Sequence, residues 1–369
     1  MTDADSLLRK AKSYSSQKYT LNIIGTVYLL VLLIVFAGSG LSRIIEQSLF
    51  KILVNPLVVL PVYLVVIASV YYLLEFPLNF YGSYVLEHKF ALSKQKIINW
   101  LSDQIKSGII SYIIGLVLIG AFYYIAGRNP YSWWFIISLF WIFFSLILAR
   151  LTPIIIIPLF FKYKKLSDED LRSRIMNLAQ KMKVKILDCF EIDFSKKTLK
   201  ANAAFVGMGK TRRVILADTL KDKYSADEIE VILAHEFAHY RLKHLWKLIL
   251  FNSSVTIILF YLIFKTSSLA LSFFGLNSLS EFAALPVMLI YFTLFGLITQ
   301  PLGNFLSRKL EKNADKMALE VTGKKEAFVS MMNKLADQNL ADRKPHPLIK
   351  FFFFDHPPID ERIEITKDF

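Results

Sequence analysis

The chain has 369 residues, of which 54% are hydrophobic and only 20% charged, with 31 Phe and 17 Tyr. That composition excludes intrinsic disorder, collagen and coiled coil and points to a membrane protein. The lone cysteine, Cys189, excludes a disulfide-stapled secreted domain, and the net charge of +14 leaves nucleic acid, anionic lipid or membrane topology to be decided by where the charges fall.

Met1 to Gln17 has no short apolar core followed by a small-residue cleavage site, so no removed signal peptide is expected. Apolar runs follow at about Leu21 to Ala37, Pro56 to Tyr81, Ile109 to Ala126 and Trp133 to Phe161, and again at Trp246 to Phe264 and Phe282 to Leu302. Each can cross a hydrocarbon core of roughly 30 Å at about 1.5 Å per residue, which predicts six spans. With the N-terminus inside, the outer connections 40–55, 127–132 and 265–281 carry only Arg43, Lys51, Arg128 and Lys265. Arg150 snorkels from the inner end of the fourth run. That leaves 39 of the 44 Lys and Arg on the inner side, so orientation in the membrane explains the charge. No basic motif interleaved with aromatics is present; a lipid bilayer is the expected partner and nucleic acid is not. Polar residues inside the runs (Glu75, Asn79, Asn252, Ser253, Ser254) are costly in lipid and suggest a cavity between spans.

Two segments are polar enough to fold in water, Lys162 to Leu245 and Ser307 to Phe369. The first reads as a helix over Asp168 to Lys181, then strands around Val184 to Ile192, Ala203 to Val206 and Arg212 to Ala217, with a hairpin turn at Gly207-Met208-Gly209. Ser225-Ala226-Asp227-Glu228 is a capping box that starts a helix predicted to run through His235 and into the fifth span. The domains expected are a four-span membrane domain at 1–161, a soluble part at 162–245, two further spans at 246–303 and a C-terminal catalytic part at 304–369.

His235-Glu236-Phe237-Ala238-His239 has the H-E-x-x-H pattern. Residues four apart share a helical face, so two imidazoles can grip one Zn²⁺, while Glu236 is placed to take a proton from the attacking water rather than to bind the metal. The extended H-E-x-x-H-x-x-G-x-x-H arrangement is excluded, because Leu242 and Leu245 stand where it needs Gly and His. His244 lies nine residues from His235, on the opposite face of a continuous helix, and is expected to meet water or lipid headgroups. Glu311 and Asp315 are one turn apart and can supply a ligand carboxylate and a partner that orients a ligand histidine. On spacing alone, Ser307 to Asp315 is equally well an exposed charged helix.

These residues resemble the type I CAAX prenyl proteases, membrane-embedded zinc metallopeptidases. The resemblance takes in His235 to His244, Asn202-Ala203-Ala204-Phe205, Arg213 to Leu220, Ser307-Arg308 with Glu311 and Ala314-Asp315, and His356-Pro357-Pro358 with Glu361-Arg362. Tyr81 to Phe90 and Pro158-Leu159-Phe160 extend it into the membrane half. It implies that His235, His239 and Glu311 bind one zinc, that Glu236 is the general base and that Asp315 orients a ligand histidine. It implies further that Asn202, on an edge strand, holds the substrate backbone, and that His356 and Arg362 face the cleft to stabilise an oxyanion or bind a substrate carboxylate. The family commonly has seven spans, so the first is the one missing from the six read here.

The fold expected is therefore mainly α, a multi-pass bundle of about six spans able to enclose a chamber, with a zincin-like α+β catalytic domain on the cytoplasmic side. The function expected is a zinc endopeptidase acting on peptides or proteins at the membrane surface, with C-a-a-X-type processing of lipidated C-termini as the leading substrate class. Cleavage of membrane proteins without any prenyl requirement is the alternative. A transporter or scaffold is the non-proteolytic rival. Both termini and the site are expected in the cytoplasm, from a bacterial inner membrane or a eukaryotic endoplasmic reticulum.

Overall fold

The computed structural model describes residues 3–207 and 212–369. Among the described residues, six helices are long and apolar enough to cross a membrane, Asp5–Gly38, Pro56–Lys89, Ile97–Arg128, Trp133–Phe160, His244–Phe273 and Phe282–Thr322, and each covers one of the expected runs, the fourth to within a residue. Two of them pass through π-helical turns, Tyr81–Val85 and Thr152–Ile156. The second contains Pro153, which has no N–H to give to the helical ladder.

The connection at 40–55, to which the sequence reading assigns no structure, contains a helix, Leu41–Leu53, set off from the first span by Gly40 at φ 73°. Its buried Glu46 accepts the backbone N–H groups of Phe282 and Ala283 at 2.8 and 3.1 Å, where the sixth-span helix begins. A carboxylate at that end satisfies free donors and opposes the helix dipole.

The sixth-span helix itself, Leu285–Thr322, has 38 residues. At about 1.5 Å per residue it is roughly twice as long as the hydrocarbon is thick, so its C-terminal half continues into the soluble domain. That half carries Arg308, Glu311 and Asp315 on a rigid rod. Glu75 and Asn79 line a cavity of about 750 Å³ between the first, second and sixth spans, and Asn79 also donates to Gln104 at 2.9 Å. In the fifth span Ser254 bonds the backbone of its own helix, at Leu250 O, and Asn252 is exposed.

The sheet has four strands: β1 Tyr163–Lys165, β2 Cys189–Ile192, β3 Ala203–Val206 and β4 Arg213–Ala217, in the order β1-β2-β4-β3. β2 and β4 are parallel, and the other two pairings are antiparallel. β1 was not expected. β2 is shorter than its expected range because Lys183 turns at φ 54° and Val184 N returns to Ala179 O at 2.8 Å, closing the helix Glu169–Lys181. Residues 208 and 209 of the expected hairpin turn lie outside the described residues. β3 pairs with β4 from Ala203↔Leu216 to Val206↔Arg213 and sits at the end of the sheet, with no strand paired to its outer edge among the described residues.

The two polar segments share one core. Ile175, Val214, Leu233 and Phe237 from the first are buried with Ala314, Ala318, Phe328 and Met332 from the second. Full burial of such large side chains stabilises by about 1.5–3 kcal/mol each, which clamps the H-E-x-x-H helix against the sixth-span helix.

Candidate metal centre

The helix Ala226–Arg241 starts as the capping box predicts, with Ser225 N donating to Glu228 Oε2 at 2.7 Å and Glu228 N to Ser225 Oγ at 3.3 Å. It does not run into the fifth span. Leu242 closes it, and Lys243, at φ 55° and ψ 36°, turns the chain before His244–Phe273 begins.

This helix lies along the extended sixth-span helix, and three donor atoms converge between them. His235 Nε2 is 3.0 Å from His239 Nε2 and 3.1 Å from Glu311 Oε2, and His239 Nε2 is 3.2 Å from Glu311 Oε1. Ligands at about 2.0–2.1 Å around a tetrahedral Zn²⁺ stand roughly 3.3 Å apart, so the spacing fits such an ion. The donor chemistry fits as well. Asp315 Oδ1 faces His235 Nδ1 at 2.8 Å, which puts the ring hydrogen there and leaves the Nε2 lone pair pointing at the gap. Glu311 Oε2 is buried with no hydrogen-bond partner, although His235 Nε2 is close by. An orphaned carboxylate oxygen beside inward-facing nitrogens is the arrangement a cation would satisfy.

Burial disfavours a charged His235, but the charge and hydrogen bond of Asp315, with the Glu311 carboxylate close to Nε2, outweigh it and push the imidazole up to about 9. A dication bound at Nε2 must displace that proton. Proton occupancy falls as pH rises through 9, so metal affinity should climb by about tenfold per pH unit below that value and level off above it. At pH 7 about one proton should be released per metal, which titration calorimetry in buffers of different ionisation enthalpy would count.

Asp315 is fully buried, and Arg362 grips it with two donors, Nε to Oδ2 at 2.8 Å and Nη2 to Oδ1 at 2.6 Å. Arg362 is only 9% exposed, so the fork with Asp315 takes up much of its hydrogen-bonding capacity. His356 is more open, with its side chain 52% exposed, Nδ1 on Asp355 Oδ1 at 2.9 Å and Nε2 at 3.4 Å from Glu311 Oε2. Burial opposes its charge, but the Asp355 hydrogen bond and the Glu311 charge prevail and raise its pKa.

A cavity of about 140 Å³ is lined by Asn202, His235, Glu236, His356 and Arg362 together. Asn202 immediately precedes β3, whose Phe205 packs edge-on against Phe237 of the H-E-x-x-H helix with ring centroids 5.2 Å apart. The structure thus gathers every residue singled out for the site from four separate stretches of chain.

His244 is the exception to the sequence reading. Instead of meeting water or headgroups it is 1% exposed, with Nδ1 3.0 Å from Nδ1 of His239. His244 would face away from His235 only on one continuous helix, and the left-handed turn at Lys243 breaks that helix. No glycine marks that turn, so nothing in the local sequence announces it.

Residues 165–368 match the model of peptidase family M48, and residues 4–162 match that of the CAAX prenyl protease N-terminal region, described as five membrane helices. In this chain the second interval holds four of the six spans and the short helix Leu41–Leu53. An uncharacterised metalloprotease of Bacillus subtilis, YhfN, is 31% identical over 361 residues, covering 97% of this chain and 84% of the relative. CAAX prenyl protease 1 of Saccharomyces cerevisiae is 30% identical over 393 residues, covering 97% of this chain and 85% of its own. The crystal structure of Ste24p from S. mikatae superposes with a TM-score of 0.88 at 26% identity, covering 98% of this chain and 89% of that one.

Proposed function

Because the chain belongs to the CAAX prenyl protease 1 family of M48 membrane metalloproteases, we propose that it is a zinc endopeptidase working at the cytoplasmic surface of the membrane. His235, His239 and Glu311 are the metal ligands in this reading and Glu236 is the general base. The observation that carries it is the convergence of three donor atoms 3.0–3.2 Å apart beside a cleft that Glu236 also lines. Bound there, zinc supplies Lewis-acid chemistry, polarising a scissile carbonyl and acidifying a water.

The remaining steps belong to the chain. Asp315 holds His235 in the tautomer that presents Nε2, and Arg362 holds Asp315. Glu236, next in sequence to His235, takes the proton of the attacking water and returns it to the leaving amine. His356, charged more readily than a free imidazole, donates where negative charge develops on the carbonyl oxygen. The open edge of β3 accepts the substrate as an added strand, with Asn202 binding its backbone.

The excess of Lys and Arg on one side of the spans supports a cytoplasmic site. The cavity of about 750 Å³ between the first, second and sixth spans has apolar walls from Leu21, Leu78, Leu297 and Phe353, which suits an isoprenyl chain on the substrate. The test is to compare a farnesylated C-a-a-X peptide with its unprenylated twin in lipid nanodiscs, with and without chelator. Chelation should abolish both activities, and the farnesylated peptide should have the lower KM. Equal KM values would remove the lipid preference and favour the prenyl-independent reading; hydrolysis undiminished by exhaustive chelation would end the metalloprotease reading.

A further inference from the structure

A second polar pocket adjoins the metal cleft. It encloses about 620 Å³ and shares Ala201 and Asn202 with the cavity at the metal centre. Its walls come from both halves of the protein: Lys18 and Glu87 from the inner ends of the first two spans, Lys197 and Lys200 from the segment leading into β3. Three ammonium groups and one carboxylate therefore line it. Glu87 serves two of the three, Lys18 at 3.2 Å and Lys200 at 2.9 Å, and also accepts the Tyr14 hydroxyl at 2.6 Å. Lys197 is held from outside the lining by Asp103 at 2.6 Å. Lys18 also donates to Gly82 O at 3.1 Å and Lys200 to the Tyr14 hydroxyl at 2.9 Å. Each ammonium has three N–H donors, so Glu87 and Asp103 together still leave one positive charge, and at least one donor on each ammonium, unmatched.

We propose that this pocket binds the free α-carboxylate at the C-terminus of the substrate. The inference rests on the protease reading above and adds a polarity to it. A peptide joining β3 from outside pairs best in the antiparallel sense. Its C-terminal side then lies at the start of the strand, at Asn202, and continues toward Lys200. At about 3.3 Å per extended residue, a tail of two to four residues beyond the scissile bond reaches from the cleft into the lysine pocket. A long tail or an internal loop would have to fill the same space without a terminal anion. The pocket thus selects bonds a few residues from a chain end.

Two fluorogenic peptides of one sequence, cleaved a few residues from the end and differing only in a terminal acid or amide, test the assignment in phosphatidylcholine nanodiscs. Charge-assisted hydrogen bonds of ordinary strength predict a kcat/KM at least about tenfold higher for the acid. Lys200→Met and Lys18→Met, each of which leaves Glu87 with one ammonium and Tyr14, should each lower that ratio at least threefold. Lys200→Arg should keep it. The ratio is read within one protein preparation, so a general loss of folded enzyme cancels. A wild-type ratio near one, or a ratio unmoved by both Met variants, overturns the proposal while leaving the protease standing. Failure to cleave either peptide would instead count against the protease reading itself.

Discussion

Glu236→Gln is expected to lower kcat by roughly 10²- to 10⁴-fold while leaving the metal content of the purified protein unchanged. Glutamine keeps the size of the side chain and its ability to hydrogen-bond, but it cannot accept a proton at neutral pH. Glu236 follows His235 directly and so projects about 100° away around the helix; it lines the cleft, half-buried, without belonging to the converging trio. Substitution there removes a proton acceptor and leaves the three donor atoms where they are. KM should move little, because the proposed function assigns substrate binding to the edge of β3 and Asn202. Metal analysis and steady-state kinetics on the same preparation check both halves of the expectation. The outcome also discriminates between classes of protein. A transporter with a structural ion needs no base beside it, so its activity would survive the change. Peptide hydrolysis by the Gln variant at the wild-type rate would refute the assigned role of Glu236.

How far the sequence discloses this molecule depends on the range of the forces involved. The six spans are legible because a hydrocarbon slab demands an unbroken apolar run, and no other common structure does. The start of the H-E-x-x-H helix is legible because Ser225 and Glu228 write a cap locally. Helix Leu41–Leu53 was hidden because its role is to deliver Glu46 to backbone groups 236 residues away. β1 was hidden because Tyr163-Lys164-Lys165 has no apolar alternation and is held only by its register with β2. At the site, H-E-x-x-H and the i, i+4 pair of Glu311 and Asp315 are local patterns, whereas their approach to each other is tertiary and came only with the family resemblance. Arg362 shows the limit of such transfer. Its position at the cleft was expected; its bidentate hold on a fully buried Asp315 was not. The misplacement of His244 has the same origin, since a single non-glycine residue in a left-handed turn reverses which face the next residues present.

That buried fork supports the second large effect. Arg362→Gln should destabilise the soluble domain by about 3–5 kcal/mol, because it strands the Asp315 carboxylate in a place with no water. Asp315→Asn should cost about as much from the other side, and it should also weaken metal binding by about 10- to 100-fold, since His235 Nδ1 loses the acceptor that fixes its tautomer. The two consequences can be separated. Replacing both partners by apolar residues, Asp315→Leu with Arg362→Met, removes both buried charges together, and such exchanges are often close to neutral for folding. The double variant should therefore unfold near the wild-type temperature in the metal-free state and yet keep the full loss of metal affinity, measured by competition with a chromogenic chelator. If its metal affinity returned along with its stability, Asp315 would be only a packing partner of Arg362. If Arg362→Gln unfolded at the wild-type temperature, the fork would not carry the stability assigned to it. Intermediate stability with undiminished loss of metal would still place the orientation of His235 on Asp315, because nothing else in the pair contacts Nδ1 as closely: Arg362 Nη2 stands 3.5 Å from it and Asp315 Oδ1 2.8 Å.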